Sequence, residues 1–190
     1  MTILYILVAI ILFVFALWLL LLIPRRNFPG WEKLSAFHYA HRGLHDLERG
    51  IPENSMTAFR AAVEHGFGAE LDVHLMADGN LAVVHDSKLD RLCGREERIE
   101  DLRLEDLKDY PLLGGDGETI PLLADVLEVF AGKTPLIVEL KVERGNAAAL
   151  TDATMKMLEQ FPHLTYCIES FHPAVVMHLK EHYPNVIRGQ

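Results

Sequence analysis

Basic residues are the minority charge in this chain. It carries 18 Lys and Arg against 27 Asp and Glu, a formal net charge of −9 over 190 residues. A general nucleic-acid binder needs a basic face, so no nucleic acid is expected as a partner. Cysteine is scarce too. Cys93 and Cys167 are too few for a disulfide framework, and their spacing matches no zinc ribbon, so they read as buried or idle thiols. Neither G-x-G-x-x-G nor G-x-x-x-x-G-K occurs, which disfavours the nucleotide folds. There is no internal repeat. With 50% hydrophobic and 24% charged residues, the composition also excludes a disordered chain.

Charge is absent from Ile3 to Ile23. At ~1.5 Å per residue this run reaches roughly 31 Å, close to the thickness of a bilayer's hydrocarbon core. Tyr5 and Trp18 lie near its ends, as an aromatic belt would place them. A secretory signal peptide is the rival reading. Against it, no Lys or Arg precedes the run, and no small-x-small cleavage site follows. The pattern predicts a transmembrane anchor over 1–24, a juxtamembrane linker over 25–36 with Pro29 and Gly30 as breakers, and one domain over 37–190. Arg25, Arg26 and Lys33 all follow the run. The positive-inside rule then predicts a single-pass membrane protein, tied to the lipid bilayer by its N-terminal helix, with the domain in the cytoplasm.

Beyond the linker, short apolar strands alternate with amphipathic helices. Strands are expected at Phe37–His41, Ala69–Leu75, Leu81–His85, Leu136–Lys141, Thr165–Phe171 and from Val186. Helices are expected at Ser55–His65, with Asn54 as a candidate N-cap, and at Leu104–Tyr110, Leu122–Phe130, Ala147–Phe161 and Pro173–His182. The turn Asp78-Gly79 joins the second and third strands. Strand–helix alternation predicts an α/β fold with a parallel sheet. His41, Glu70, Asp72, His85, Glu139 and Lys141 cluster at strand C-termini, where a (β/α)8 TIM barrel puts its active site. A complete barrel is typically ~250 residues, and about six strands are present here, so the chain reads as a barrel lacking its C-terminal part.

Glu70 and Asp72 stand at i and i+2 on an apolar strand, so both carboxylates face one way while Leu71 and Val73 face the other. Glu139 repeats the theme between Val138 and Leu140. Three inward acids would repel unless they shared a hard cation, Ca²⁺ or Mg²⁺. His41 and His85 end two different strands and have the right pKa range for proton transfer. His74 continues the inward alternation of Glu70 and Asp72. Arg42 and Lys141 bring positive charge to the same rim, which suits an anionic substrate, most simply a phosphate. The plainer alternative for Lys141 is that it neutralises Glu139. Glu53 stands as a further ligand or an orienting residue.

Taken in order, His41-Arg42-Gly43, Pro52-Glu53-Asn54-Ser55, Glu70-Leu71-Asp72-Val73, Asp78-Gly79, His85-Asp86, Ile120-Pro121 and Glu139-Leu140-Lys141 resemble the glycerophosphodiester phosphodiesterase family over 37–190. The resemblance implies a TIM barrel of the phospholipase-C-like phosphodiesterase type. It implies His41 and His85 as the acid/base pair and Glu70, Asp72 and Glu139 as metal ligands. Arg42 and Lys141 would lie near the phosphate, and 86–120 would be a small insertion after the third strand. The implied activity is metal-dependent hydrolysis of glycerophosphodiesters to glycerol 3-phosphate and an alcohol. Two alternatives stand beside it: lysophospholipase D-type cleavage of lysophospholipids at the membrane, and a non-catalytic membrane-tethered binding module.

Overall fold

The computed structural model describes Thr2–Leu21 and residues 28–190, and it divides into two units, Met1–Trp31 and Glu32–Gln190. In the first unit, helix α1 (Thr2–Leu21) carries exposed side chains from Tyr5 to Leu20. Among the described residues no helix is long and apolar enough to cross a membrane. The expected span from Ile3 to Ile23 is therefore not supported as a crossing helix. Its far end at Ile23, and the flanking Pro24, Arg25 and Arg26, lie outside the described residues.

A short helix, α2 (Trp31–Ser35), precedes strand β1 (Tyr39–His41). The second unit is α/β. Strands β1, β2 (Gly68–Leu75), β4 (Leu136–Leu140), β5 (Tyr166–Glu169) and β6 (Arg188–Gly189) run parallel in the spatial order β1-β2-β4-β5-β6. Strand β3 (Leu81–Val83) departs from expectation: it pairs antiparallel with β2, Val73 against Val83. The physical reason is the turn between them. Met76 N–H donates to Asn80 C=O, and Gly79 sits at φ +87, so a tight hairpin reverses the chain. His85 thus lies two residues beyond a hairpin strand rather than at the end of a parallel barrel strand.

Helix α3 (Met56–Glu64) buries Ala58, Phe59 and Ala62, spaced along one face. Its cap is Ser55, whose Oγ accepts from Ala58 N–H at 3.1 Å; Asn54, the expected cap, does other work. Short helix α4 (Asp90–Cys93) and 3₁₀ turns at Ile99–Asp101 and Leu104–Asp109 lie in the segment after β3. The helix expected at Leu104–Tyr110 is therefore a 3₁₀ turn. This segment closes over its own small core, which includes Leu89, Ile99, Leu107 and Ile120. Helices α5 (Leu123–Phe130), α6 (Ala147–Leu158) and α7 (Pro173–His182) complete the order.

The main core forms where β2 and β4 send Ala69, Leu71, Val73, Leu136 and Val138 among the helices. Phe59 of α3 meets Phe130 of α5 edge-on, ring centroids 6.0 Å apart, both rings fully buried. Phe130→Ala should cost about 3–5 kcal/mol of stability, read from urea unfolding. A loss below about 1 kcal/mol would show that this contact is not part of the cooperative core.

Candidate active site

Sheet register assembles the site. On β2, alternation sends Glu70 and Asp72 to the face opposite Leu71 and Val73. Across the ladder, His41 pairs with Glu70, Asp72 with Glu139, and Glu139 with Glu169. Glu70, Asp72 and Glu139 are all buried, and one carboxylate oxygen from each lies within 4.8 Å of the others.

Neighbouring groups let this charge persist. Asp72 Oδ2 accepts from Asn54 Nδ2 at 2.9 Å and lies 3.4 Å from Arg42 Nε. Lys141 Nζ sits 2.9 Å from Asp72 Oδ1 and 2.7 Å from Glu139 Oε1. Burial alone would push the Asp72 carboxyl up, but the Asn54 amide and the Lys141 ammonium together hold it below the ordinary carboxylate value. Glu70 is less well compensated. Its Oε2 accepts from Arg42 N–H at 3.1 Å, while Oε1 is buried with no hydrogen-bond partner among the described residues. Burial and the Asp72 charge push its pKa to about 7. Glu169 is also raised, by burial and by Glu139. Three close acids with an orphaned oxygen fit a hard divalent cation.

The loops around the acids are stapled together. Arg42 and Gly43 both have positive φ, and a Cβ on Gly43 would come within 2.8 Å of Ala58 Cβ. Asn54 N–H donates to Arg42 C=O at 2.9 Å, and Asn54 itself is left-handed at φ +53 and buried. This conformation, which Asn tolerates, aims its amide at Asp72 instead of capping α3.

His41 Nε2 lies 3.8 Å from Glu70 Oε2, with the ring largely exposed. Partial burial and the Arg42 charge lower its pKa. His85 Nδ1 meets Asp86 Oδ1 at 2.6 Å, and Asp86 Oδ2 accepts from Arg91 Nε at 2.6 Å. Arg91 also grips Glu53 with two bonds, at 2.8 and 3.0 Å, and Arg42 Nη1 adds a third at 3.0 Å. Glu53 therefore faces two guanidiniums and stands outside the acid cluster. Lys141 lies among the acids, the geometry of the neutralising alternative, and it still lines a cleft of about 370 Å³ with His85, Glu139, Ser170 and Phe171. Sequence reading missed Asn54 as a carboxylate partner and Arg91 altogether.

The profile of the Glycerophosphoryl diester phosphodiesterase family matches residues 41–189. The chain belongs to this family. A glycerophosphodiester phosphodiesterase of Caldanaerobacter subterraneus is 40% identical over 109 residues, 54% of this chain and 44% of the relative. A lysophospholipase D of Rattus norvegicus is 32% identical over 148 residues, 70% of this chain and 45% of that one. The chain thus spans under half the length of these curated relatives. Among solved structures, a phosphodiesterase of Oleispira antarctica in complex with the product sn-glycerol-3-phosphate matches with a TM-score of 0.75 at 28% identity, over 84% of this chain and 67% of that one. The family fold is TIM-barrel-like, in keeping with the parallel sheet of this phosphodiesterase-family chain.

Glu70 should make cation loading pH-dependent. Its pKa is raised in the folded state, so protonation there adds stability that is complete below the ordinary value of 4.5 and is lost as pH rises through about 7. A divalent cation must displace that proton. Calorimetry in buffers of different ionisation enthalpy should show about one proton released per ion at pH 6, little release at pH 8, and about tenfold weaker affinity at pH 6. Proton release independent of pH, or unchanged in Glu70→Gln, would contradict this.

Proposed function

We propose that this chain carries a metal-dependent site that hydrolyses glycerophosphodiesters to glycerol 3-phosphate and an alcohol. The observation that carries the reading is the acid cluster Glu70, Asp72 and Glu139, formed in register beside His41, in a chain of this family. A Ca²⁺ or Mg²⁺ ion held by those three residues would neutralise charge on the phosphodiester oxygens. Glu53 then acts as an orienting residue, since its carboxylate ties Arg42 to Arg91.

His41, with its lowered pKa and exposed ring, suits the base that takes a proton from the attacking oxygen. Asp86 holds the Nδ1 side of His85, which leaves Nε2 to protonate the departing alcohol. Lys141 and Arg42 keep the acid cluster near neutral and offer N–H donors to the phosphate as it enters.

Lysophospholipase D-type cleavage is the second reading. It is favoured by Phe171, a largely exposed aromatic that lines the cleft, and by the exposed apolar side chains of α1. Membrane association through the exposed apolar side chains of α1, and a cytoplasmic location for the domain, belong to that proposal.

With glycerophosphocholine as substrate and glycerol 3-phosphate as readout, Asp72→Asn should lower kcat/KM at least ~100-fold, and a chelator should abolish turnover until Ca²⁺ or Mg²⁺ is restored. Turnover at the parental rate by Asp72→Asn would sink the site assignment. Under the second reading, Phe171→Ser should raise KM for lysophosphatidylcholine several-fold more than for glycerophosphocholine. Equal effects on both would remove the acyl-chain role of Phe171.

A further inference from the structure

His85 has a positional problem. Strand β3 ends at Val83, so His85 and Asp86 sit in irregular chain. Among the described residues no backbone N–H reaches the His85 carbonyl. A side chain holds it instead. His74, on the same face of β2 as Glu70 and Asp72, is almost fully buried, and its Nε2 lies 3.2 Å from His85 O. On the other side of the ring, Nδ1 meets Glu100 Oε1 at 2.6 Å. Both ring nitrogens therefore face acceptors, a fixed orientation that no flip of the ring improves.

Glu100 extends the grip. Its second oxygen accepts from Ser87 Oγ at 2.6 Å and lies 3.5 Å from Arg98 Nε. Arg98 in turn donates to Glu143 Oε2 at 2.6 Å, beyond the end of β4. Burial pushes the Glu100 carboxyl up, but His74 and Ser87 hold it below its ordinary value, so it is an ionised acceptor. The residues before and after Asp86 are thus tied to the same pair: His85 through its carbonyl to His74, and Ser87 through its hydroxyl to Glu100. Asp86 and the ring it holds lie between two anchors.

We propose that His74 and Glu100 form a positioning pair that sets the placement of His85 in the cleft. The proposal rests on the acid/base role given to His85 above, but the geometry it invokes can be tested without turnover. Neither residue is placed on substrate or cation; they act through the backbone of 85–87. A purely structural role, fastening the segment after β3 onto β2, would use the same bonds without affecting the His85 ring.

The test uses the full chain with ¹⁵N-labelled histidine, with the His85 ring signals assigned through His85→Asn. In the parent, read at a pH high enough for the ring to be neutral, Nδ1–H fixed on Asp86 should keep the two ring-nitrogen shifts of His85 well separated. In Glu100→Gln that separation should narrow as the tautomers exchange. The double variant His74→Phe/Glu100→Leu should do the same while remaining folded: it removes the buried pair as a unit, the His85 and Ser87 groups it releases border the cleft, and Arg98 keeps Glu143. On glycerophosphocholine both variants should lose about 10–100-fold in kcat, with KM and divalent-ion affinity within about twofold of the parent. An unmoved His85 signal in the folded double variant would overturn the proposal. If the parent failed to turn over, the proposed activity would fall, and the ring-nitrogen shifts would still decide whether the pair positions His85.

Discussion

Everything at the functional end of this domain depends on three carboxylates confined within 4.8 Å in a buried setting. Such charge is tolerated only where dipoles and cations are supplied at short range. The chain supplies them unequally. Asp72 has an amide, an ammonium and a guanidinium around it, while Glu70 keeps an oxygen with no partner. The asymmetry divides the labour: Asp72 is a permanent anion that organises the loops, and Glu70 is the member whose charge depends on what shares the site.

The surrounding architecture follows from holding Asp72 in place. The left-handed Asn54 delivers its amide only because its own N–H is bonded to Arg42 C=O. Arg42 can turn there only because Gly43 lets the backbone approach Ala58. Arg91 then joins Glu53 to Asp86, so the loop before α3 and the loop after β3 share one guanidinium. Side chains from three separate stretches thereby act as one rigid rim.

How much of this could be read from the chain varied with range. The acids were legible because parity on an apolar strand is a local signal, and Glu70, Asp72 and Glu139 each interrupt such a strand. The α/β character was legible from strand–helix alternation, and α7 was located to the residue. The direction of β3 was misread although its signal was present, since a tight Asp78-Gly79 turn joins antiparallel neighbours. Asn54 was misassigned because two polar residues precede α3 and either could cap it; Ser55 does. Arg91 and Glu100 lie in a charged stretch without periodicity, and their partners Glu53 and His74 are 38 and 26 positions away. No local pattern carries such pairings.

The pairing of Asp72 with Glu139 and of Leu71 with Val138 makes strand parity an address code. Even positions on β2 speak to the cleft and odd positions to the helices. Deleting one residue at the start of the strand, ahead of Glu70, would invert every address after it, turning leucine and valine to the cleft and driving two acids and a histidine into the apolar core. Deleting two would preserve the faces and move the acids one rung along the ladder. The fold and the chemistry of this strand are therefore written in the same characters, and drift in one cannot accumulate without erasing the other.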